Sequence, residues 1–186
     1  MKVFVAAGAY KPKNELYLED AKRLGRLLAE NGFTYVQGGC DKGIMGATYS
    51  AFLNLSDNVE LIVPNAYRED VENMPCKKLH LVDTINQRLL LIENMCSYII
   101  TIPGGFGTID EVTNFVETYR SKEHSSTLIL VNINGFYDNY IKQIKKMEEE
   151  GLVIEGIFEE VIKIVHSSEE AIEFILSDIK NKKACK

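Results

Sequence analysis

Residues 97–111 read Ser97-Tyr98-Ile99-Ile100-Thr101-Ile102-Pro103-Gly104-Gly105-Phe106-Gly107-Thr108-Ile109-Asp110-Glu111. The first six are a short apolar run rich in β-branched and aromatic side chains, the pattern of a strand covered on both faces. It stops at Pro103, which cannot donate into a sheet ladder. Gly104, Gly105 and Gly107 then form a turn, and helical spacing resumes near Thr108. A buried strand leading through glycines into a helix is the leading half of a βα unit.

The same grammar recurs on both sides. Val3 to Ala7 reads as a buried strand, and Leu16, Leu24, Leu27 and Leu28 lie on one helical face that ends before Gly32. Phe33 to Gln37 is a strand, Ile44 to Leu55 a helix, and Val59 to Val63 another strand. Pro64 to Cys76, with two prolines and mixed polarity, reads as a long connection. Leu79 to Val82 is a short strand, and Thr84 to Met95 a helix with Asp83 as its cap. Strands at Thr127–Val131 and Val161–Val165 alternate with helices at Tyr137–Glu150 and Ser168–Lys180. This alternation predicts an α/β fold: a Rossmann-like, doubly wound parallel sheet with helices on both faces. One domain is expected over residues 1–180, followed by a basic, flexible tail at residues 181–186.

Composition narrows the function. The chain has 186 residues, which corresponds to one domain at about 150 residues each. Hydrophobic residues make up 46%, enough for a packed core, so disordered and collagen-like classes are excluded. A net charge of −6 and no basic stripe argue against a nucleic-acid partner. No apolar run approaches the ~18 residues of a membrane span, and the strand-like opening lacks a leader layout. The expectation is a cytoplasmic protein with neither membrane nor nucleic acid as partner. Cys40, Cys76, Cys96 and Cys185 show no CxxC spacing and read as reduced thiols. His80, His124 and His166 are far apart, so no metal site is expected.

In open parallel sheets, ligands bind beyond the carboxyl ends of the strands, where strand order reverses. Three glycine-bearing loops leave strands at that edge: Gly8-Ala9-Tyr10, Gly38 to Gly46, and Pro103 to Thr108. They are either sharp turns without a ligand or close-approach surfaces for an anion. Neither of the two longer loops matches GxxxxGK[ST] or GxGxxG, which disfavours ATP hydrolysis and nicotinamide chemistry. Thr108 and Glu111 have the spacing of a capping box, although a carboxylate there is also placed for catalysis. Arg88 sits in an apolar helical stretch, either as a surface partner of Glu93 or a neighbour, or as a guanidinium for phosphate or ribose oxygens. Met45 is a core residue by its surroundings or part of a base pocket.

Pro103 to Glu111 matches PGGxGTxxE, the signature of the LONELY GUY (LOG) family, once labelled "lysine decarboxylase-like". Gly38 to Gly46 resembles the family's GGGxxGLMG loop, Asp83 to Arg88 its stretch before an Arg-Lys pair, and Asn134 to Asp138 its GYY/GFY segment. The resemblance implies a cofactor-independent phosphoribohydrolase that splits nucleoside 5′-monophosphates into free base and ribose 5-phosphate, assembled as a homodimer or larger. It implies Arg88 and Glu111 as the catalytic pair. It also implies Gly8, Gly39, Gly43, Met45, Gly104, Gly105, Gly107 and Thr108 around the nucleotide. The chain departs from the family pattern at Leu89, Ala9, Cys40 and Ile85. The alternative reading is a non-catalytic carrier of a nucleotide or phosphorylated cofactor. Lysine decarboxylation needs pyridoxal phosphate on a Schiff-base lysine, and no such lysine pocket is evident.

Overall fold

A computed structural model describes residues 1–184. Seven strands, β1 (Lys2–Ala6), β2 (Thr34–Gln37), β3 (Val59–Pro64), β4 (Lys78–Val82), β5 (Tyr98–Thr101), β6 (Thr127–Val131) and β7 (Ile162–Val165), form one sheet in the order β4-β3-β2-β1-β5-β6-β7. Every pairing is parallel. The order runs outward from β1 in one direction and then reverses at β5, so the switch point lies between β1 and β5. Their register sets Val3 beside Tyr98 and Ala6 beside Thr101.

Among the described residues eight α-helices cover the sheet: α1 (Leu16–Glu30), α2 (Gly43–Leu53), α3 (Arg68–Val71), α4 (Ile85–Met95), α5 (Phe106–Arg120), α6 (Asp138–Glu149), α7 (Ile157–Val161) and α8 (Ser168–Ala184). Successive strand residues point to opposite faces, which separates two cores. Val3, Val5, Tyr35, Leu61 and Ile100 pack beneath Leu24, Phe52 and Ile172 of α1, α2 and α8. Phe4, Val36, Ile62, Ile99 and Leu128 pack beneath Ile92, Phe115 and Ile144 of α4, α5 and α6. Burial on both faces is why the central strands read as unbroken apolar runs.

The structure departs from the sequence reading at helix ends and in short elements. The connection 64–76 contains a 3-10 turn at Asn65–Tyr67 and α3, anchored by buried Val71 and Met74. Residues 157–161 form α7, and Val161 ends that helix instead of opening β7. The closing helix α8 continues to Ala184, so residues 181–184 are helical and exposed. Cys185 and the end of the expected tail, Lys186, lie outside the described residues. Cys40, Cys76 and Cys96 are free thiols. Among the described residues, no helix is long and apolar enough to cross a membrane.

Candidate active site

Backbone hydrogen bonds draw the glycine loops together at the switch point. The Gly8 N–H donates to the Pro103 carbonyl at 3.0 Å, and the Met45 N–H donates to the Gly8 carbonyl at 3.0 Å. The turns after β1 and β5 and the first turn of α2 therefore meet. Gly43 opens α2 against the backbone of Ala9 and Tyr10, while Gly39 packs on Val63 and Val71. The Met45 side chain is half-buried and packs on the core under α1 and α2. Gly105 and Gly107 differ from the other glycines of this edge: a Cβ on either would meet nothing within 4 Å.

The expected cap of α4 moves by one residue. Thr84, not Asp83, is the N-cap, because its Oγ1 accepts the Gln87 N–H at 3.1 Å. The Gln87 Oε1 reaches back to accept the Asp83 N–H at 2.7 Å, a reciprocal arrangement close to a capping box. The helix thus starts at Ile85 and carries Arg88 toward the carboxyl edge. There the Arg88 Nη2 donates to Oε1 of Glu111, 23 residues further along the chain. Glu93 is not the partner; it is buried and accepts from the Thr118 hydroxyl at 2.6 Å.

Glu111 is not a capping glutamate. The N-cap of α5 is Gly105, extended at φ −96° and ψ −152°, and Phe106 is already helical. Glu111 lies beyond the first turn, too far along to reach the free N–H groups there. Thr108 is buried against Gly104, where a Cβ would come within 2.1 Å of the Thr108 Oγ1. Only glycine allows that approach. The Asp110 side chain, one residue before Glu111, is exposed.

Arg88 and Glu111 are both largely shielded, with side chains 16% and 7% exposed. Burial pushes the Glu111 carboxyl above the ordinary glutamate range, Arg88 pulls it back in part, and Asp110 adds a small upward push. Gly38 makes room for the guanidinium: a Cβ there would lie 3.1 Å from the Arg88 Nη1. The Arg88 Nε has no protein acceptor, so Glu111 does not consume all of its donors.

Beneath the site lies a scaffold that the residues alone did not single out. The Tyr137 hydroxyl donates to the Ile102 carbonyl at 2.8 Å, immediately before the glycine turn. Burial raises the Tyr137 phenol, so it stays a donor. Asn132 accepts the Tyr137 N–H at 2.7 Å and donates to Asp138 at 2.8 Å. The sequence signal was the Asn134–Asp138 segment, noticed only through its family likeness. Among the departures, Leu89 is buried in the core under α4 and α5. The Cys40 N–H is tied to the Gln37 Oε1 at 3.1 Å, and its Sγ accepts the Lys42 N–H. His80 lies 2.7 Å from Glu60, and His124 contacts the Phe115 carbonyl at 2.9 Å, so both have structural partners.

The chain is similar to proteins of known sequence and structure. The chain is 26% identical over 176 residues to the cytokinin riboside 5′-monophosphate phosphoribohydrolase LOG of Oryza sativa subsp. japonica, covering 94% of this chain and 71% of that protein. It is 27% identical over 153 residues to the cytokinin riboside 5′-monophosphate phosphoribohydrolase of Rhodococcoides fascians, covering 81% and 77%. Against another rice relative it spans 62% of the length. In fold it is similar to the molybdenum cofactor binding protein of Rippkaea orientalis, with a TM-score of 0.68, 21% identity, and 96% and 95% of the two chains covered. The Moco carrier protein of Chlamydomonas reinhardtii superposes with a TM-score of 0.70 at 13% identity, covering 97% and 98%. The family described as "Possible lysine decarboxylase" matches residues 45–175. With most of its length inside that match, and with the parallel sheet and glycine turns in place, the chain belongs to this family, the one that contains the LOG proteins.

Proposed function

We propose that the protein is a nucleoside 5′-monophosphate phosphoribohydrolase. The observation that carries this reading is the buried Arg88–Glu111 pair, set beside open glycine turns at the switch point. The phosphate lies over Gly105 and Gly107, where the backbone is free to be approached. Arg88 turns a guanidinium donor to ribose or phosphate oxygens and fixes the sugar against Glu111. As the C1′–N bond breaks, positive charge grows on the ribose ring, and an ionised Glu111 stabilises it at fixed distance in a shielded setting. The same carboxylate orients the water whose oxygen bonds to C1′, and the proton which that water gives up balances the one taken up by the departing base nitrogen. The similarity to named phosphoribohydrolases supports this reading. The cation paired with Glu111 is an arginine, which forms no Schiff base, so the older decarboxylase label finds no support in these residues.

Chromatographic assay of base release from a panel of 5′-monophosphates, with wild type and Glu111→Gln in parallel, tests the proposal. Release from at least one substrate that disappears in the variant is expected. A folded protein that binds a nucleotide and releases no base supports the second reading, a carrier of a phosphorylated ligand. The likeness in fold to molybdenum cofactor binding and carrier proteins supports that alternative. We also propose a homodimer or larger assembly. Leu79 and Leu81 on edge strand β4, and Ile85 and Leu90 around Arg88 on α4, are exposed apolar side chains that a second copy would cover. Sedimentation equilibrium reads that mass directly.

A further inference from the structure

The exposed aromatic side chains of this protein are not scattered. Of 17 Tyr and Phe residues, four are more than a third exposed among the described residues: Tyr10, Tyr67, Phe106 and Phe136. All four lie within a few residues of the carboxyl ends of strands, after β1, β3, β5 and β6 respectively, Phe106 as the first residue of α5. The opposite edge exposes aliphatic side chains, Leu55, Leu152 and Ile154. Two of the four rings are almost fully solvated, Tyr10 at 90% and Phe106 at 97%. Both stand beside the switch point. Each is two residues from the place where a Cβ on Gly8 would lie 3.2 Å from the Gly104 Cα.

A bare phenyl ring costs free energy in water, and it occupies the variable position of PGGxGT between two glycines with open space above them. The geometry points to Phe106, assisted by Tyr10, as the stacking surface for the planar heterocycle of the ligand. The inference rests on the nucleotide reading above and deepens it, because it assigns the base to the aromatic rings and leaves the phosphate to the glycine backbone. Stacking is tolerant of ring identity, since every nucleobase presents a π-face. Phe106 is then a binding residue that grips any purine-sized ring and does not choose among them by hydrogen bonding.

The test compares AMP with ribose 5-phosphate, which shares the phosphate and sugar and lacks the ring. Affinities are measured by calorimetry for wild type, Phe106→Ala and Phe106→Trp, with sedimentation of each. Phe106→Ala is expected to weaken AMP about tenfold, the scale of one base–aromatic stack, and to leave ribose 5-phosphate unchanged. Phe106→Trp should restore AMP binding. As the chain has no tryptophan of its own, the emission of that variant should be quenched by AMP and not by ribose 5-phosphate. Equal AMP affinity in wild type and Phe106→Ala overturns the stacking role and leaves the nucleotide reading standing. So does a Phe106→Ala variant that changes oligomer mass and weakens both ligands alike, which assigns the ring to a subunit contact. A wild-type protein that binds neither ligand overturns both readings.

Discussion

Replacing Arg88 with methionine tests whether the site is held by a buried charge pair. Methionine keeps much of the apolar stem and removes the guanidinium, leaving the Glu111 carboxylate 7% exposed and without its cation. Removing one partner of such a pair is costly because the other is stranded. The cost has a ceiling, since Glu111 can take up a proton instead. From the ordinary glutamate value of 4.5 to pH 7 is 2.5 pH units, which at about 1.4 kcal/mol per unit sets a limit of about 3.5 kcal/mol. The sign follows from linkage. In the variant the native state binds a proton that the unfolded chain has lost, so variant stability falls as pH rises. In the wild type Arg88 holds the Glu111 value lower, and the corresponding loss ends at a lower pH. The stability gap therefore widens by up to about 1.4 kcal/mol per unit above the wild-type Glu111 value and closes below it. Urea denaturation of both proteins between pH 4.5 and 8 measures it. The double variant Arg88→Met, Glu111→Gln should recover most of the loss and flatten the pH dependence. A gap independent of pH, or a double variant no more stable than Arg88→Met, refutes the pairing.

Further outcomes are expected at other positions. Glu111→Gln should lower base release about 100- to 10,000-fold, the range for a positioned acid–base group. On the hydrolase reading the acid limb of kcat/KM in the wild type should lie above the ordinary glutamate value, because burial raises Glu111 and its carboxylate is lost as pH falls through the raised value. Gly104→Ala should cost about 1–3 kcal/mol through the clash with Thr108, whereas Gly105→Ala, with open space around its Cβ, should leave the urea midpoint unchanged and weaken phosphate binding. Burial raises Glu60, but Lys2 at 2.9 Å and His80 at 2.7 Å outweigh it and hold the carboxyl below 4.5. That contribution is present above 4.5 and lost as pH falls through the lowered value, so Glu60→Gln should cost roughly 1–3 kcal/mol at neutral pH and less in acid. Tyr137→Phe should cost about 1 kcal/mol by freeing the Ile102 carbonyl, read from thermal denaturation.

Much of the fold was legible because its signals are local. The five central strands are runs such as Val3–Ala7 and Thr127–Val131, and a run buried on both faces has a pattern of its own. Val71 and Phe158 anchor helices of only four and five residues, too short for a 3.6-residue period to register, so α3 and α7 escaped notice. The capping spacing of Thr108 and Glu111 was present and misleading. A local motif describes where a helix can start, and here Gly105, free to be extended, allowed the helix to begin before it. Leu89 stands where the family pattern has the lysine of its Arg-Lys pair, yet it is packed in a core where a charge would be out of place.

Alternation of apolar runs with helical faces was enough to specify a parallel sheet with its carboxyl edge, and PGGFGT was enough to locate that edge on the chain. Those properties depend on neighbours within a few residues, which the order of amino acids already contains. The partner of Arg88, the burial that raises Glu111, and the gathering of Tyr10 and Phe106 beside one contact between Gly8 and Gly104 arose from packing. They depend on which strands become neighbours, and β1 and β5 lie side by side although more than 90 residues separate them. The charge on Glu111 is set by how much water that packing removes from around it.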